Sequence, residues 1–326
     1  MTLPGWRHTA KLGQTDIVVT KLCFGTSALG DMPATYGYGV DEERALATIA
    51  AIFDGPANFI DTSRIYGHGR SEERIGKVLR ARGGLPDGFV LSTKLDRDLS
   101  NDRFDATRAR QSLDESLTAL GLDQVSLLHL HDPEYVRSIN ELTKTGGALD
   151  ELFRMKAEGL TSAVGLAAGD VDVTMTLLRD WDFDALITHN RFTLINRNAD
   201  DLISFAHDRG VAVLNAAPYN SGVLAKGAAS APLFAYQPAP DDVLEPVRRI
   251  EAICARHNIP PGAAALQFSM RDPRISSTIC GVSKPARVAQ TREWADFVIP
   301  DQVWDELAAL PFSAADPEAK RVYTTG

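Results

Sequence analysis

Cysteine is scarce in this chain and poorly placed for cross-linking. Cys23, Cys254 and Cys280 are spread over 326 residues with no CxxC pair. An odd number at such separations argues against a disulfide framework and for a reducing cytoplasm. Each reads as a small buried hydrophobe rather than a metal ligand. Long apolar runs are missing as well. No stretch approaches the ~18 residues that would span a bilayer, and the opening MTLPGWRHTAKLG has no apolar core of a signal peptide. Neither secretion nor a membrane is expected. Basic charge is in deficit: 34 Lys and Arg face 43 Asp and Glu, for a net charge of −9. That balance disfavours nucleic acid or an anionic membrane as partner. No GxGxxG follows the first apolar run, no low-complexity segment occurs, and no shift of composition marks a domain boundary.

What remains is an ordinary core-forming composition, 44% hydrophobic, arranged in a repeating pattern. Short apolar runs fall at 21–25, 58–60, 89–94, 125–130, 162–166, 185–189, 211–215 and 277–281. They show little polar alternation, as expected of strands buried on both faces of a parallel sheet. Amphipathic helical patterns lie between them. DEERALATIAAIFDG offers Asp41 as N-cap and Gly55 past its end, and SEERIGKVLRARGG offers Ser71 as N-cap. Eight strands each followed by a helix predict a single (β/α)8 barrel domain over residues 1–326. A doubly wound α/β sheet is the alternative. HTAKLGQTDIVVT predicts a short N-terminal hairpin turning near Gly13, and 228–240, rich in Ala and Pro, reads as a loop. PFSAADPEAKRVYTTG reads as a C-terminal tail, either loose or folded over a barrel mouth.

Barrel chemistry collects at the C-terminal ends of the strands. Asp61 ends the second candidate strand and Tyr66 follows in its loop. Lys94 ends the third, and His129 and His131 end the fourth, in LLHLHDP. Strand alternation puts the two histidines on one face. The set has a chemical logic. Tyrosine is a weak acid, with a reference pKa of roughly 10. An ammonium at Lys94 favours the phenolate and should lower that value, while Asp61 holds the lysine charged and aimed. A histidine N–H beside the hydroxyl would fix a substrate oxygen. The result is proton transfer at a carbonyl or alcohol, with Tyr66 as general acid or base. Such a site has no hydride donor of its own and would need a nicotinamide cofactor. The plainer reading is a buried Asp–Lys ion pair with Tyr66 in loop packing.

NFIDTSRIYGHGRSEERIGKVL resembles the signature segment of the aldo-keto reductases, and LGLDQVSLLHLHDP resembles that family's fourth-strand segment. The likeness extends from KLGQTDIVVTKLCFGTSALG to STICGVSKPARVAQT. It implies a (β/α)8 barrel binding NAD(P) at its C-terminal mouth, with a catalytic set of Asp61, Tyr66, Lys94 and His131. The histidine is taken as His131 because the register from Asp123 in Leu-Gly-Leu-Asp reaches it. His129 is then a packed neighbour one layer deeper.

The same resemblance implies cofactor contacts at Gly25, Thr26, His189, Asn190, Ala216, Pro218, Tyr219, Ser221, Gly281, Ser283, Lys284 and Arg287. Several family positions are changed. Ala167 and Ala168 stand where a Ser and an Asn hold the nicotinamide amide. His189 replaces a Gln, and Ala216 replaces the Tyr that stacks on the ring. The amide and ring would be held instead by His189, Asn190 or Tyr219. Gly281 and Val282 replace a Lys-Ser pair of NADPH-preferring members, which favours NAD. Arg287 matches an arginine that meets the 2′-phosphate, which favours NADP. The expectation leans to NAD with NADP accepted, the helix near Pro285 offering N–H donors to a phosphate either way.

DTSRIYGHGRSE and NAAPYNSGVL resemble the sugar-dehydrogenase branch, which includes L-fucose, D-threo-aldose and L-galactose dehydrogenases and pyridoxal 4-dehydrogenase. The expected substrate is an aldose oxidised at C1, with Arg64, His68, His129 and Asp132 as a polar neighbourhood. An aldehyde or pyridoxal of the same chemistry is the alternative. The expected partner is a small molecule, the chain acting as monomer or homo-oligomer. Two rivals stand outside this class. One is a metal-dependent hydrolase using His129-x-His131 with Asp132, although such a pair usually lies on a barrel's first strand. The other is a cofactor-sensing binding subunit without turnover.

Overall fold

The computed structural model describes residues 7–230, 233–319 and 321. The remaining parts of the expected 1–326 domain, including Tyr323 of the tail, lie outside the described residues. The chain opens with β1 (Thr9–Lys11) and β2 (Val18–Thr20), an antiparallel hairpin in the expected place. Eight parallel strands then close a barrel. They are β3 (Leu22–Gly25), β4 (Phe59–Asp61), β5 (Val90–Leu95), β6 (Val125–His131), β7 (Thr161–Ala167), β8 (Ala185–His189), β9 (Ala212–Ala216) and, after an excursion, β12 (Ile275–Gly281). The order β12-β3-β4-β5-β6-β7-β8-β9 is that of a (β/α)8 barrel, with helices filling the connections. The excursion holds β10 (Leu233–Phe234) and β11 (Gln237–Pro238), a small antiparallel hairpin. It corrects the expectation of a plain loop at 228–240. Two-residue strands carry no periodicity that a sequence pattern could reveal.

Alternation divides the core. Leu22, Phe24, Ile60, Leu91, Leu95, Leu128, Leu130, Val164, Leu166 and Leu186 face outward against the helices. Cys23, Phe59, Val90, Leu127, Ala163, Ala185, Ala212 and Leu214 fill the interior, and Leu12 and Val19 of the hairpin join them. The hairpin therefore plugs the lower end of the barrel, each fully buried aliphatic contributing ~1.5–3 kcal/mol.

The helices follow their caps. The helix Glu42–Phe53 starts at Asp41, whose side chain accepts from Arg44 N–H. Ser71 is not a cap. The helix Arg70–Arg82 begins one residue earlier behind Gly69, and Ser71 turns inward to donate to Thr26 Oγ1 at 2.9 Å. Its hydroxyl ties the β3 and β4 loops together instead. Among the described residues no helix is long and apolar enough to cross a membrane.

Candidate active site

The inward row on β4–β6 changes from apolar to ionic halfway up. Asp61 caps β4 above Phe59, and Lys94 stands above Ser92 on β5. Lys94 Nζ lies 2.8 and 3.0 Å from the Asp61 carboxylate oxygens and donates to Thr62 O at 2.6 Å. Both residues are buried, 1% and 4% exposed, so each charge depends on the other. The remaining side of the ammonium faces Tyr66 Oη at 3.4 Å. Tyr66 is delivered by the turn after β4, and Gly67 makes that turn possible. Gly67 has φ +61°, and a Cβ there would lie 1.9 Å from Gly30 O, so the Tyr66 loop leans directly on the β3 loop.

The two histidines of β6 share a face and little else. His129 is fully buried and pairs in register with Lys94. Its Nδ1 meets Ser92 Oγ at 3.1 Å, and Ser92 in turn donates to Asp61 at 3.0 Å. Its Nε2 has no hydrogen-bond partner, and it abuts Gly165 of β7, where a Cβ would approach to 2.6 Å. Burial and the Lys94 charge push its pKa well below the usual value, so the ring is a neutral strut. His131 is one layer higher. Its Nδ1 lies 2.6 Å from Asp96 Oδ1, and its ring stands edge-on to Tyr66 with centroids 6.1 Å apart. Burial alone would lower its pKa, but the Asp132 and Asp96 carboxylates raise it above the usual value. Asp96 is correspondingly held low, its burial outweighed by His131 and by bonds from Ser63 and Ile65 N–H.

One electrostatic expectation is overturned. Tyr66 does not have a depressed pKa. Burial first, and then the Asp61 carboxylate, push it well above the usual value. Burial decides the sign, and the neighbouring Asp61 carboxylate adds to it. The resting side chain is a phenol.

These groups open onto a cavity of about 520 Å³ running across the barrel mouth. Near its floor are Gly25, Thr26, Asp61, Tyr66, Lys94 and His131. Ala167, Ala168, Ala216, Ala217 and Ile279 form a small-residue wall, and Tyr219, Ser221, Gly281, Ser283, Lys284 and Arg287 line the far end. His189 also lines it, whereas Asn190 and Pro218, expected as cofactor contacts, do not. Asn190 is buried and its Nδ2 donates to Glu318 Oε1 at 3.0 Å. Of the expected polar neighbourhood, His68 and Asp132 reach this cavity. Arg64 turns to Glu72, Glu73 and Glu115, and His129 lies beneath.

Comparison with known proteins supplies the class. A model of the aldo/keto reductase family matches residues 21–311. The chain belongs to the aldo/keto reductase family. It is 30% identical to D-threo-aldose 1-dehydrogenase of a Pseudomonas species, over 90% of this chain and 94% of that protein. It is 28% identical to pyridoxal 4-dehydrogenase of Microbacterium luteolum, over 91% and 95%. An aldo-keto reductase of Bacillus halodurans, in its holo form, superimposes with a TM-score of 0.76 at 18% identity, over 97% of this chain and all of that one. Oxidoreductase chemistry is thereby established for the class.

Whether this aldo/keto reductase can hold a dinucleotide is a question for its own residues, and they fit. The helix Pro285–Asp296 begins at the far end of the cavity with no acidic residue in its first turn and no side chain capping its N–H groups. Ser283, Lys284 and Arg287 surround that start, a setting that favours phosphate. Gly281 has open space where a side chain would stand. Ala167, Ala168, Ala216 and Ala217 line the same cavity as Tyr66 and take up little of its volume.

Three parts of the reductase site were not legible as such. Asp96 follows Ser92 and Lys94 at strand alternation, and that signal could have marked it. Tyr36 and Tyr236 line the cavity and meet edge to face at 6.2 Å, but the loops carrying them are far apart in sequence. The third is the tail, which folds over the mouth. Asn196 and Asn198 side chains hold Ala315 O and Ala314 O, both at 2.9 Å, and Arg197 packs on Phe312. Glu318 then reaches His189 Nε2 at 2.9 Å, Arg191 at 3.3 Å and Arg321 at 2.7 Å. Its burial is outweighed by its bonds and charge interactions with His189, Arg191 and Asn190, which hold the carboxyl well below the usual carboxylate range.

Proposed function

We propose that this reductase is an NAD(P)-dependent dehydrogenase that oxidises an aldose at its C1 hydroxyl, with Tyr66 as the general acid/base. The observation that carries this reading is Tyr66 Oη 3.4 Å from an ammonium whose other bonds are fixed, with His131 across the same cavity. A substrate hydroxyl seated there meets Tyr66 and His131 together. For oxidation Tyr66 must first give up its proton; the phenolate, faced by Lys94 Nζ, then accepts the C1 hydroxyl proton as C1 is oxidised and returns to a phenol. Asp61 keeps Lys94 ionised through the cycle. The nicotinamide, when bound, supplies the hydride acceptor. In the reverse direction the resting phenol is already the acid that a carbonyl oxygen needs. Residues Ser283, Lys284 and Arg287 would hold the dinucleotide phosphates. Gly281 favours NAD, and Arg287 leaves NADP usable.

The relative named D-threo-aldose 1-dehydrogenase supports the sugar reading, as do the polar groups of His68, Asp132 and Tyr135 on the cavity wall. A second reading is oxidation of a pyridoxal-type ring alcohol. It is favoured by the Tyr36 and Tyr236 rings and by the relative named pyridoxal 4-dehydrogenase. The test is a dehydrogenase screen of aldoses and pyridoxal with NAD+ and NADP+ side by side, with Tyr66→Phe run in parallel. Turnover should appear with an aldose and drop by about 100-fold or more in Tyr66→Phe, while cofactor binding persists. Turnover that Tyr66→Phe leaves intact, or activity that depends on stoichiometric zinc, would refute the acid/base assignment.

A further inference from the structure

Because Asp96 Oδ1 lies 2.6 Å from His131 Nδ1, the chemistry of His131 depends on a residue outside the catalytic set. An ionised carboxylate only accepts, so Nδ1 must be the donor in that bond. A neutral imidazole has one N–H. If that N–H is committed to Asp96, Nε2 is bare and can only accept. We infer that Asp96 is a positioning residue: it commits Nδ1–H of His131, so that Nε2 donates to the substrate oxygen only while the imidazole is charged. This rests on His131 being the histidine that meets substrate, as proposed above.

The surroundings support the assignment. Asp96 is 3% exposed and doubly anchored on its other oxygen, by Ser63 Oγ at 2.6 Å and Ile65 N–H at 2.9 Å. Its own backbone is fixed too. Ser112 Oγ accepts from its N–H at 2.9 Å, and Arg108 Nε donates to its carbonyl at 3.0 Å. The carboxylate therefore arrives from the loop after β5 with a fixed direction, and the ring follows it. Ser63 Oγ, 3.2 Å from the same Nδ1, closes a triangle of three buried groups.

The other charges near His131 come from each neighbouring element. Lys94 on β5 and neutral His129 on β6 lie below, and Tyr66 lies across. Asp132 Oδ1 lies 3.5 Å from Nε2. Behind Asp96 a second cavity of about 330 Å³ is lined by Arg64, His68, Arg97 and Arg108. Lys94 opposes charging of His131, and the two carboxylates favour it.

The consequence is a sign that kinetics can read. Carbonyl reduction needs Nε2–H and should decline as pH rises through the His131 titration. Alcohol oxidation passes through the same transition state and should lose the same His131 limb, its own rise with pH coming from Tyr66, which must be ionised to accept the hydroxyl proton. The experiment pairs a 15N NMR titration of the His131 imidazole with pH–kcat profiles of wild type and Asp96→Asn. Both midpoints should move together to lower pH in Asp96→Asn, by about one to three pH units. Reductive kcat above the new midpoint should fall by about tenfold or more with KM little changed. An NMR midpoint that stays in place, or a kinetic midpoint that stays while the NMR one moves, overturns the inference. Ser63→Ala, which keeps the carboxylate, should move both midpoints less and in the same direction. It decides the matter if Asp96→Asn does not fold, and unmoved midpoints there count against the inference. The NMR arm needs no substrate. Failure to find any substrate would therefore weaken the functional proposal, while the role of Asp96 still stands or falls on the NMR midpoints.

Discussion

Along β4, β5 and β6 the inward positions climb from Phe59 to Asp61, from Val90 through Ser92 to Lys94, and from Leu127 through His129 to His131. Across the barrel, β7, β8, β9 and β12 offer Ala163, Gly165, Ala167, Ala185, Ile187, Ala212, Leu214, Ala216, Ile279 and Gly281. Both walls belong to one closed sheet with one alternation. The first spends its inward positions on four ionisable groups that fix one another. The second spends most of them on alanine and glycine, and so on space, with Ile187, Leu214 and Ile279 between. A reactive wall needs charges that cannot relax, which burial and mutual pairing provide. A binding wall needs room for a flat ligand, which alanine and glycine provide. Two polar exceptions on the second side, His189 and Arg191, are bonded from outside the barrel by Glu318 of the tail.

This contrast can be broken from either side. Lys94→Met on the reactive wall should have the largest effect. It strands the Asp61 carboxylate in a buried site, costing about 3–5 kcal/mol, and it removes the ammonium that a Tyr66 phenolate needs. Thermal unfolding and kcat should fall together, and a variant melting like wild type would contradict the mutual dependence argued for the pair. Gly165→Ala tests the seam where the walls meet. The added methyl would stand 2.3 Å from His129 Cδ2, so the ring must shift at a cost of about 1–3 kcal/mol. The displaced ring would loosen Ser92 and Asp61 in turn. Denaturant titration measures the cost, and an unchanged midpoint would show the strut to be compliant. Glu318→Gln should be mildest. It keeps the tail's shape but removes the buried carboxylate that His189 and Arg191 share, leaving Arg191 its pair with Asp316. KM should change more than kcat, because the proposed proton-transfer group Tyr66 is untouched; a change in kcat alone would place Glu318 closer to the chemistry than its contacts indicate.

Much of the reactive wall was legible because a strand has period two. Asp61 and Lys94 were read from their strand ends, and alternation put His129 on the same face as His131; Ser92 was not picked out. Family resemblance chose between the two histidines, and the geometry explains the difference between them. His129 is braced by Ser92 and Gly165, while His131 reaches the cavity. Alternation also points to Asp96, but nothing in the sequence says that its carboxylate turns back to His131. That direction is set by Ser63, Ile65, Ser112 and Arg108, which come from separate segments. The Tyr66 pKa failed for a related reason. A Lys–Tyr pair considered alone predicts a depressed value, and only the packed site shows how much water has been removed.

The sequence by itself determined the barrel, its inward rows and the identity of the groups at its mouth. Those follow from local periodicity and from strand ends that a closed parallel sheet must bring together. Tertiary structure alone decided that the tail covers the mouth, that Glu318 bonds His189 and Arg191, and that Asp96 meets His131. Each of these joins segments far apart in the chain through directional polar contacts. Directional contacts depend on where buried backbone and side chains finally stop, which no local pattern encodes.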